Sequence, residues 1–547
     1  MRNIVIRLLI TFILTACSGT QVTEPIPPAT LPATSTTTST PLPSLLPTST
    51  SVSTPQPHLL PVKFGPDDFP SNINPLTGRA VLDPSLLDLP AVLVSVSNSP
   101  ASARPQAGPG FAPWVFELFI GEGVTRFMNV FYGDYPRDVP NIVGDCAVRE
   151  EIINPNGGWI GNRIWFDENT NGIQDDWEMG VGGVCVHLLG ANDRKVLQET
   201  STDSNGYYAF ENPGNDIIIQ FGKPPAYQFT QADIGDEDHD SDADETTGET
   251  PVIQSDATVS SWDAGLVLSD NIIPTPNPSA TATPSYIPTE TYVGPIRSGR
   301  LTYNQIGGMF PNSCLVYASA TWDIGEMLDA CEIVFGVDLT TPNSALMTIS
   351  RMRELAEDNL NPKQRVNYTG NLFSDEIPDG GVPASFIDVY YHSFNQSAWT
   401  YDPIAQSYLR HTDDADGKGI LHPATDRLTE RQLQFENVIV VLAEHMRFRH
   451  NQLEVDFGNG QGNFAYLFRD GQVFRIRWAT TNREYEKSSG LRRPMHFIDA
   501  QGNLVPLHPG RTWIHIVTPF STITNTDGEN WRVKFVPPLD PPDTPVP

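Results

Sequence analysis

Residues 159–190 read WIGNRIWFDENTNGIQDDWEMGVGGVCVHLLG. At their centre Asp167, Asn169, Asn171, Gly172 and Glu178 stand at positions 1, 3, 5, 6 and 12 of the loop pattern D-x-[DN]-x-[DN]-G-x5-E. The spacing has a chemical reason. Calcium takes about 6–8 oxygens at about 2.3–2.6 Å, and alternate side chains of a tight loop supply them. Gly172 permits the sharp turn, a backbone oxygen near Ile173 adds a ligand, and Glu178 closes the shell with two oxygens. Asp175 and Asp176 are further candidates. The flanks, 159–166 and 180–190, read as strands rather than helices. Further strand-like runs follow at TSTDSNGYYAF (200–210), IIIQF (217–221), YQFT (227–230) and WDAGLVL (262–268). Strands at this spacing predict an all-β, Ig-like sandwich carrying the loop.

The charge pattern marks this part as a separate unit. Between Cys146 and Asp270 there are 24 acidic and 5 basic residues, which is 19 of the 31 excess negative charges of the 547-residue chain. A second acidic run within it holds Asp233, Asp236, Asp238, Asp240 and Asp242. So many carboxylates in one small domain repel each other, and a bound divalent cation neutralises them. The motifs GNRIW (161–165), the calcium loop, DSNGYYAF (203–210) and DAGL (263–266) resemble the SdrD B-like domain, the B repeat of serine-aspartate repeat adhesins. The resemblance covers about 160–268 and implies a structural calcium cofactor. It also implies a sandwich used as a rigid spacer on cell surfaces, with the second acidic run as another calcium loop.

Outward from this domain (146–270) lie a Pro/Thr-rich linker at 271–292 and, at the N-terminus, a leader and a tether. The leader MRNIVIRLLITFILTAC (1–17) has a basic start and a nine-residue apolar stretch, too short for the ~20 residues a membrane helix needs. Its end, Leu14-Thr15-Ala16-Cys17, resembles the lipobox of bacterial lipoproteins, which makes Cys17 the expected lipid attachment site. Residues 18–58 are Ser, Thr and Pro-rich with one charge, Glu24, and read as a disordered tether. The expected location is therefore extracytoplasmic, with lipid holding the chain to a bacterial membrane. A net charge of −31 argues against a nucleic-acid partner. Cys146, Cys185, Cys314 and Cys331 read equally as disulfides or as buried thiols, and no CxxC or His/Cys cluster has zinc spacing.

The flanks, 62–145 and 293–537, have ordinary globular composition. AVLVSVS (91–97) reads as a buried strand, and VFELFI (115–120) with VTRFMNVFY (124–132) as a hairpin. NSALMTISRMRELAEDN (343–359) carries Leu346, Ile349, Met352 and Leu355 at helical spacing behind Pro342. NVIVVLAEH (437–445), a hairpin turning at Asp470-Gly471, another near Gly502 and TWIHIVTP (512–519) complete an α+β host. Asn74-Pro75-Leu76-Thr77-Gly78, Asn98-Ser99-Pro100, Gly123 to Phe127, Gly294 to Arg300 and Asn437 to Val440 resemble YerB-like lipoproteins. That family brings no biochemical activity with it. The resemblance departs from the family through the roughly 150 residues set between Val130 and Gly294. The host is expected to close around them, since insertions are tolerated at surface turns.

Arg104, Gln106, Glu117, Thr125, Arg126, Arg297, Ser298 and Arg300 form a polar set in this host. If they converge, guanidinium forks suit a carboxylate or phosphate; otherwise they satisfy turns and local carboxylates. Gly458 to Gly462 reads as a tight turn rather than a phosphate cradle. His445, His450 and His496 lack a nucleophile partner, and no GxSxG or HExxH is present. Glu117 and Glu122 form the one acid/base pair to consider. The preferred expectation is a non-catalytic envelope protein that binds a wall component such as peptidoglycan, or another envelope protein. The alternative is an enzyme acting on peptidoglycan or an attached polymer.

Overall fold

A computed structural model of the chain describes residues 63–137, 143–152, 158–255, 261–269, 291–336, 344–361, 363, 365–449, 452–457, 461–481 and 483–538. The leader with Cys17, the 18–58 tether, residues 271–290 of the linker, and His450 lie outside the described residues, as do Gly458 to Gly460 of the glycine-rich turn. The end of the expected linker already belongs to the host, because Tyr292–Val293 pairs as a strand with Met347–Thr348.

The host is built on one large mixed sheet. Its path runs through strands at 314–317, 92–97, 124–131, 114–121, 512–517, 437–442, 461–469 and 472–479. Trp114–Gly121, which precedes the insertion, pairs in parallel with Thr512–Val517 near the C-terminus, and that strand pairs in parallel with Asn437–Leu442. The host therefore closes around the insertion as expected. Strand alternation gives the sheet two buried faces. Val92, Val94, Val96, Phe127, Val440 and Trp513 face a second sheet, made of strands at 386–392, 395–402, 407–413 and 530–534. Leu93, Phe116, Met128, Ile439 and Ile514 face the opposite way, against Tyr303, Ile306 and Met309 of the helix Thr302–Met309. Burial on both sides explains why the central strands read as continuous apolar runs.

Hairpin signals were legible and the helix boundary was less so. Asp470 and Gly471 take φ of 52° and 65°, the pair of left-handed values that a two-residue hairpin loop needs. Gly121, Glu122 and Gly123 turn the other hairpin with φ of 115°, 52° and 78°. The helix begins later than its periodicity suggests and runs Ile349–Asp358. Thr348 is its cap, accepting from Arg351 N at 3.1 Å, while Met347 is held extended by pairing with Val293. The apolar run from 437 also breaks at Ala443, after which Glu444–Arg449 enters a separate hairpin with Gln452–Asp456.

The insertion is an Ig-like sandwich. One sheet orders strands at 227–229, 264–268, 159–166 and 207–211; the other orders 196–201, 185–190 and 217–221. Ile164, Tyr208, Phe210, Ile219 and Leu266 fill the space between them. Val196–Ser201, polar along most of its length, is the strand that apolar patterning passed over. Both cysteine pairs are bonded: Cys146 with Cys185 across a Cα separation of 5.3 Å, and Cys314 with Cys331 across 5.5 Å. The sandwich is docked on the host. Ala80 N donates to Asp176 Oδ2 at 2.8 Å, Arg137 Nη2 donates to Trp177 O at 2.8 Å, and Arg431 Nη2 donates to Gly180 O at 2.6 Å. On the other side of this contact, Gln432 N donates to Ser204 Oγ at 3.2 Å.

Candidate functional site

The polar set expected in the host divides, because Thr125 and Arg126 are neighbours on one strand and so face opposite sides of the sheet. Thr125 points between the two sheets with Glu117. The Thr125 hydroxyl donates to Glu117 Oε1 at 2.8 Å, and Trp513 Nε1 donates to Oε2 at 3.2 Å. Arg410 lies 3.5 Å and His515 3.4 Å from the same Oε2. Trp399 Nε1 donates to His515 Nε2 at 2.9 Å, so the ring carries its proton on Nδ1, toward the carboxylate. Burial and Arg410 hold the His515 pKa well below its usual value, so the ring is neutral. Asn98 Nδ2 donates to Thr125 Oγ1 at 2.9 Å, Gln106 Nε2 to Asn98 Oδ1 at 3.2 Å, and Arg104 Nε to Asn98 Oδ1 at 3.0 Å. Arg104 also pairs with Asp413 at 3.0 Å. Glu117, Thr125 and His515 are fully buried. This half of the set is a closed network that joins the two sheets.

Arg126, Arg297, Ser298 and Arg300 lie on the helix side. Arg126 is 9 % exposed and Tyr303 fully buried, while Arg297, Ser298 and Arg300 are partly buried. Arg126 Nη1 donates to its neighbour's carbonyl, Thr125 O, at 2.9 Å. Arg300 Nη1 donates to Ser298 Oγ at 3.0 Å and to Gly299 O at 2.7 Å. Tyr303 OH and Ser95 Oγ share a hydrogen bond of 3.0 Å. Burial, with the positive charges of Arg300 and Arg297, lowers Arg126 to about 10. The Nε atoms of all three arginines are buried without a hydrogen-bond partner.

The Glu117/Glu122 pairing does not form as an acid/base couple: Glu117 is sealed in the core while Glu122 sits exposed on the hairpin tip. His445 and His496 are buried in separate places, and burial lowers each to about 4. The downstream partners of the Glu117 network, Trp399, Arg410, Asp413 and His515, with Tyr391, whose hydroxyl lies 3.4 Å from His515 Nδ1, carry no motif in the sequence. Only the alternation of Trp513 and His515 on one strand offered a signal.

In the insertion, most of the first acidic loop folds on itself. Asp167 Oδ1 accepts from Asn171 N at 3.1 Å and Oδ2 from Gly172 N at 2.9 Å. Asn169 Nδ2 and Asn171 Nδ2 converge on Asp175 Oδ2 at 2.8 and 3.1 Å. Ile173 N donates to Asn171 Oδ1 at 2.7 Å. Glu178 spans the loop, with Oε1 accepting from Glu168 N at 2.8 Å and Oε2 from Asp175 N at 3.1 Å. Asp176 leaves this group for the host, as described above. The second loop abuts the first through Gln174 N donating to His239 O at 2.6 Å. There Asp236 binds His239 Nδ1 at 2.7 Å and accepts from Asp238 N, Asp233 N donates to Ser241 O, and Asp242 accepts from Asp263 N at 2.6 Å. Burial raises Asp240 to about 6 and Asp242 to about 8, with neighbouring carboxylates adding to it, and Asp240 Oδ1 is buried without a partner. Among the described residues, no three His, Cys, Asp or Glu side chains form a group that holds a metal as packed. The donors are nonetheless oxygen-bearing throughout, which suits a hard cation.

Residues 158–266 match the family described as SdrD B-like domain. Residues 76–152 match the N-terminal domain, and 387–514 the C-terminal domain, of a protein of unknown function, DUF3048. The chain therefore carries an SdrD B-like domain set between matches to the two DUF3048 domains. The chain is 43% identical over 89 residues to the fibrinogen-binding protein of Staphylococcus epidermidis, a stretch that is 16% of this chain and 8% of that protein. It is 30% identical over 143 residues to serine-aspartate repeat-containing protein F of the same species, 26% of this chain and 8% of that one. Serine-aspartate repeat-containing protein D of Staphylococcus aureus matches at 41% over 91 residues, 16% and 7% of the two chains. The chain thus spans less than a tenth of the length of these curated relatives. The crystal structure of the YerB protein from Bacillus subtilis aligns with 81% of this chain and 96% of its own, at TM-score 0.42 and 17% identity. Among the described residues, no helix is long and apolar enough to cross a membrane.

Proposed function

We propose that this protein is a non-catalytic, cell-surface envelope protein, held to the membrane by lipid on Cys17, whose host domain binds a wall component or another envelope protein. The observation that carries the reading is the SdrD B-like insertion, whose relatives are named as serine-aspartate repeat and fibrinogen-binding proteins. The closure of the Glu117 network supports the non-catalytic part. A fully buried carboxylate that already accepts from Thr125 and Trp513 has no face left for a substrate.

Calcium is the structural cofactor in this reading. Asp167, Asn169, Asn171, Asp175 and Glu178 would hold it in the first loop, and Asp240 with its neighbours in the second. The unpartnered, buried Asp240 Oδ1 fits a cation there. A half-turn of either Asn amide exchanges its nitrogen for its oxygen, which supplies the donors calcium prefers. The ion adds positive charge where burial and mutual repulsion disfavour ionised carboxylates.

The test is co-sedimentation of residues 18–547 with purified cell-wall sacculi in calcium, with an assay of the supernatant for released fragments. Binding without release is the expected result. Fragment release above a blank would make the protein an enzyme and overturn the reading.

A further inference from the structure

We infer that Arg126, Arg297 and Arg300, with the hydroxyls of Ser298 and Tyr303, form a binding site for a phosphate group carried by an envelope polymer. The inference rests on the reading of the host as a wall-binding domain and names the chemistry it would recognise.

The cluster is assembled by the fold from segments on either side of the insertion. Arg126 comes from the strand before it, and Arg297 to Tyr303 from the loop and helix start after it. Arg297 is fixed in place by backbone pairing, its N–H donating to Ser95 O at 2.8 Å and its carbonyl accepting from Ala318 N at 2.9 Å. The strongest charges acting on Arg126 besides the Tyr303 hydroxyl are two more guanidiniums. Concentrating two more cations around a nine-tenths buried one is costly unless an anion joins them. The polar partners they do have are neutral: Thr125 O, Gly299 O and Ser298 Oγ. Three buried Nε–H donors remain unpaired, and each unmade bond costs stability.

The stereochemistry favours phosphate over carboxylate. One carboxylate has a single charge and two oxygens, which one arginine fork already matches. Three guanidiniums brought from two segments of the chain, with the hydroxyls of Ser298 and Tyr303 beside them, suit an anion offering several oxygens around a tetrahedral centre. The Glu117 network shows how this protein treats arginines meant only for structure. There Arg104 and Arg410 each have a carboxylate, Asp413 and Glu117. On the helix side the arginines meet one another.

The test titrates residues 18–547 with inorganic phosphate and with acetate by calorimetry, then repeats the phosphate titration with poly(glycerol phosphate) present. Phosphate should bind at one site per chain, acetate should not, and the polymer should compete. Competition assigns the phosphodiester polymer as the source; binding without competition assigns free or terminal phosphate to the same site. Arg300→Gln should weaken phosphate binding at least about tenfold, as loss of one charge-assisted contact implies. Ser298→Asp has a result that misfolding cannot mimic. Its carboxylate should raise the melting temperature by partnering the guanidiniums while abolishing phosphate binding. No phosphate binding by the unaltered chain, or binding unchanged in both variants, overturns the site. Sedimentation with sacculi separates the two readings: wall binding without phosphate binding sinks the site alone, and phosphate binding without wall binding sinks the wall reading alone.

Discussion

At the scale of single residues, the host depends on what it buries between its sheets. Glu117 is held by Thr125, Trp513, Arg410 and a neutral His515, all in a region closed to water. Removing Glu117 leaves the Arg410 guanidinium buried and without its carboxylate. Glu117→Ala should therefore cost about 3–5 kcal/mol in denaturant unfolding. A double-mutant cycle with Arg410→Ala should show that much of the loss is shared, and additive losses would mean that the two do not interact. His445 sets a pH dependence. Its Nδ1 bonds Ala443 O at 2.9 Å, its Nε2 has no partner, and burial lowers its folded pKa to about 4 from an ordinary 6.5. Between those values the unfolded chain binds the proton and the folded chain does not. Its contribution is therefore complete above about pH 6.5, is lost as pH falls to about 4, and amounts to about 3 kcal/mol. His445→Asn should flatten that part of the stability–pH curve, and an unchanged slope would assign it to other groups.

At the scale of elements, the sequence was informative wherever local chemistry decides the outcome. Asp470-Gly471, the two glycines around Glu122 and the apolar runs at 91–97 and 437–445 are local signals; the turns and the first run form where they read, while the second run pairs in the large sheet only over 437–442. The helix start was misplaced because a sheet partner held Met347 extended, and no periodicity reveals that. The same limit applied to the polar set. Its residues read as one group, but strand alternation sends Thr125 and Arg126 to opposite faces once the strand is central in a two-faced sheet. The cysteines left two readings open, and pairing in space closed them. The bond between Cys314 and Cys331 joins residues 17 apart in sequence and anchors the edge of the large sheet, where Val316 pairs with Glu332. Loop-closure entropy for that length predicts that Cys314→Ser with Cys331→Ser lowers stability by about 3 kcal/mol. A reducing agent should produce the same loss in a chain carrying Cys146→Ser and Cys185→Ser, where Cys314–Cys331 is the bond left to break, and a loss from the substitutions alone would point to packing instead.

At the scale of the whole molecule, the insertion is more than a spacer, because the face of its first acidic loop is also its contact with the host. Asp175 turns inward to Asn169 and Asn171, while the next residue, Asp176, accepts from Ala80 N of the host. Trp177, Met179 and Gly180 continue the contact through Arg137 and Arg431. Behind it lies a cavity of about 720 Å³ lined by both domains, including Arg79, Asp134, Arg163 and Arg511. A cation that orders residues 167–178 must therefore also order the carboxylate and carbonyls that the host grips. Binding to the folded state stabilises it by about 2.7 kcal/mol at a concentration one hundred times Kd. Millimolar calcium should then raise the melting temperature of residues 18–547, and Asp167→Ala should abolish the rise. Hydrogen exchange supplies the second readout: calcium should slow exchange at Ala80 and Gln432, which lie in the host and bind no metal themselves. A melting temperature that rises while those amides exchange as before would give calcium to the sandwich and leave docking independent of it. If neither responds, residues 167–178 are an acidic turn held by their own hydrogen bonds, and the sandwich docks through its direct contacts with the host without a cation.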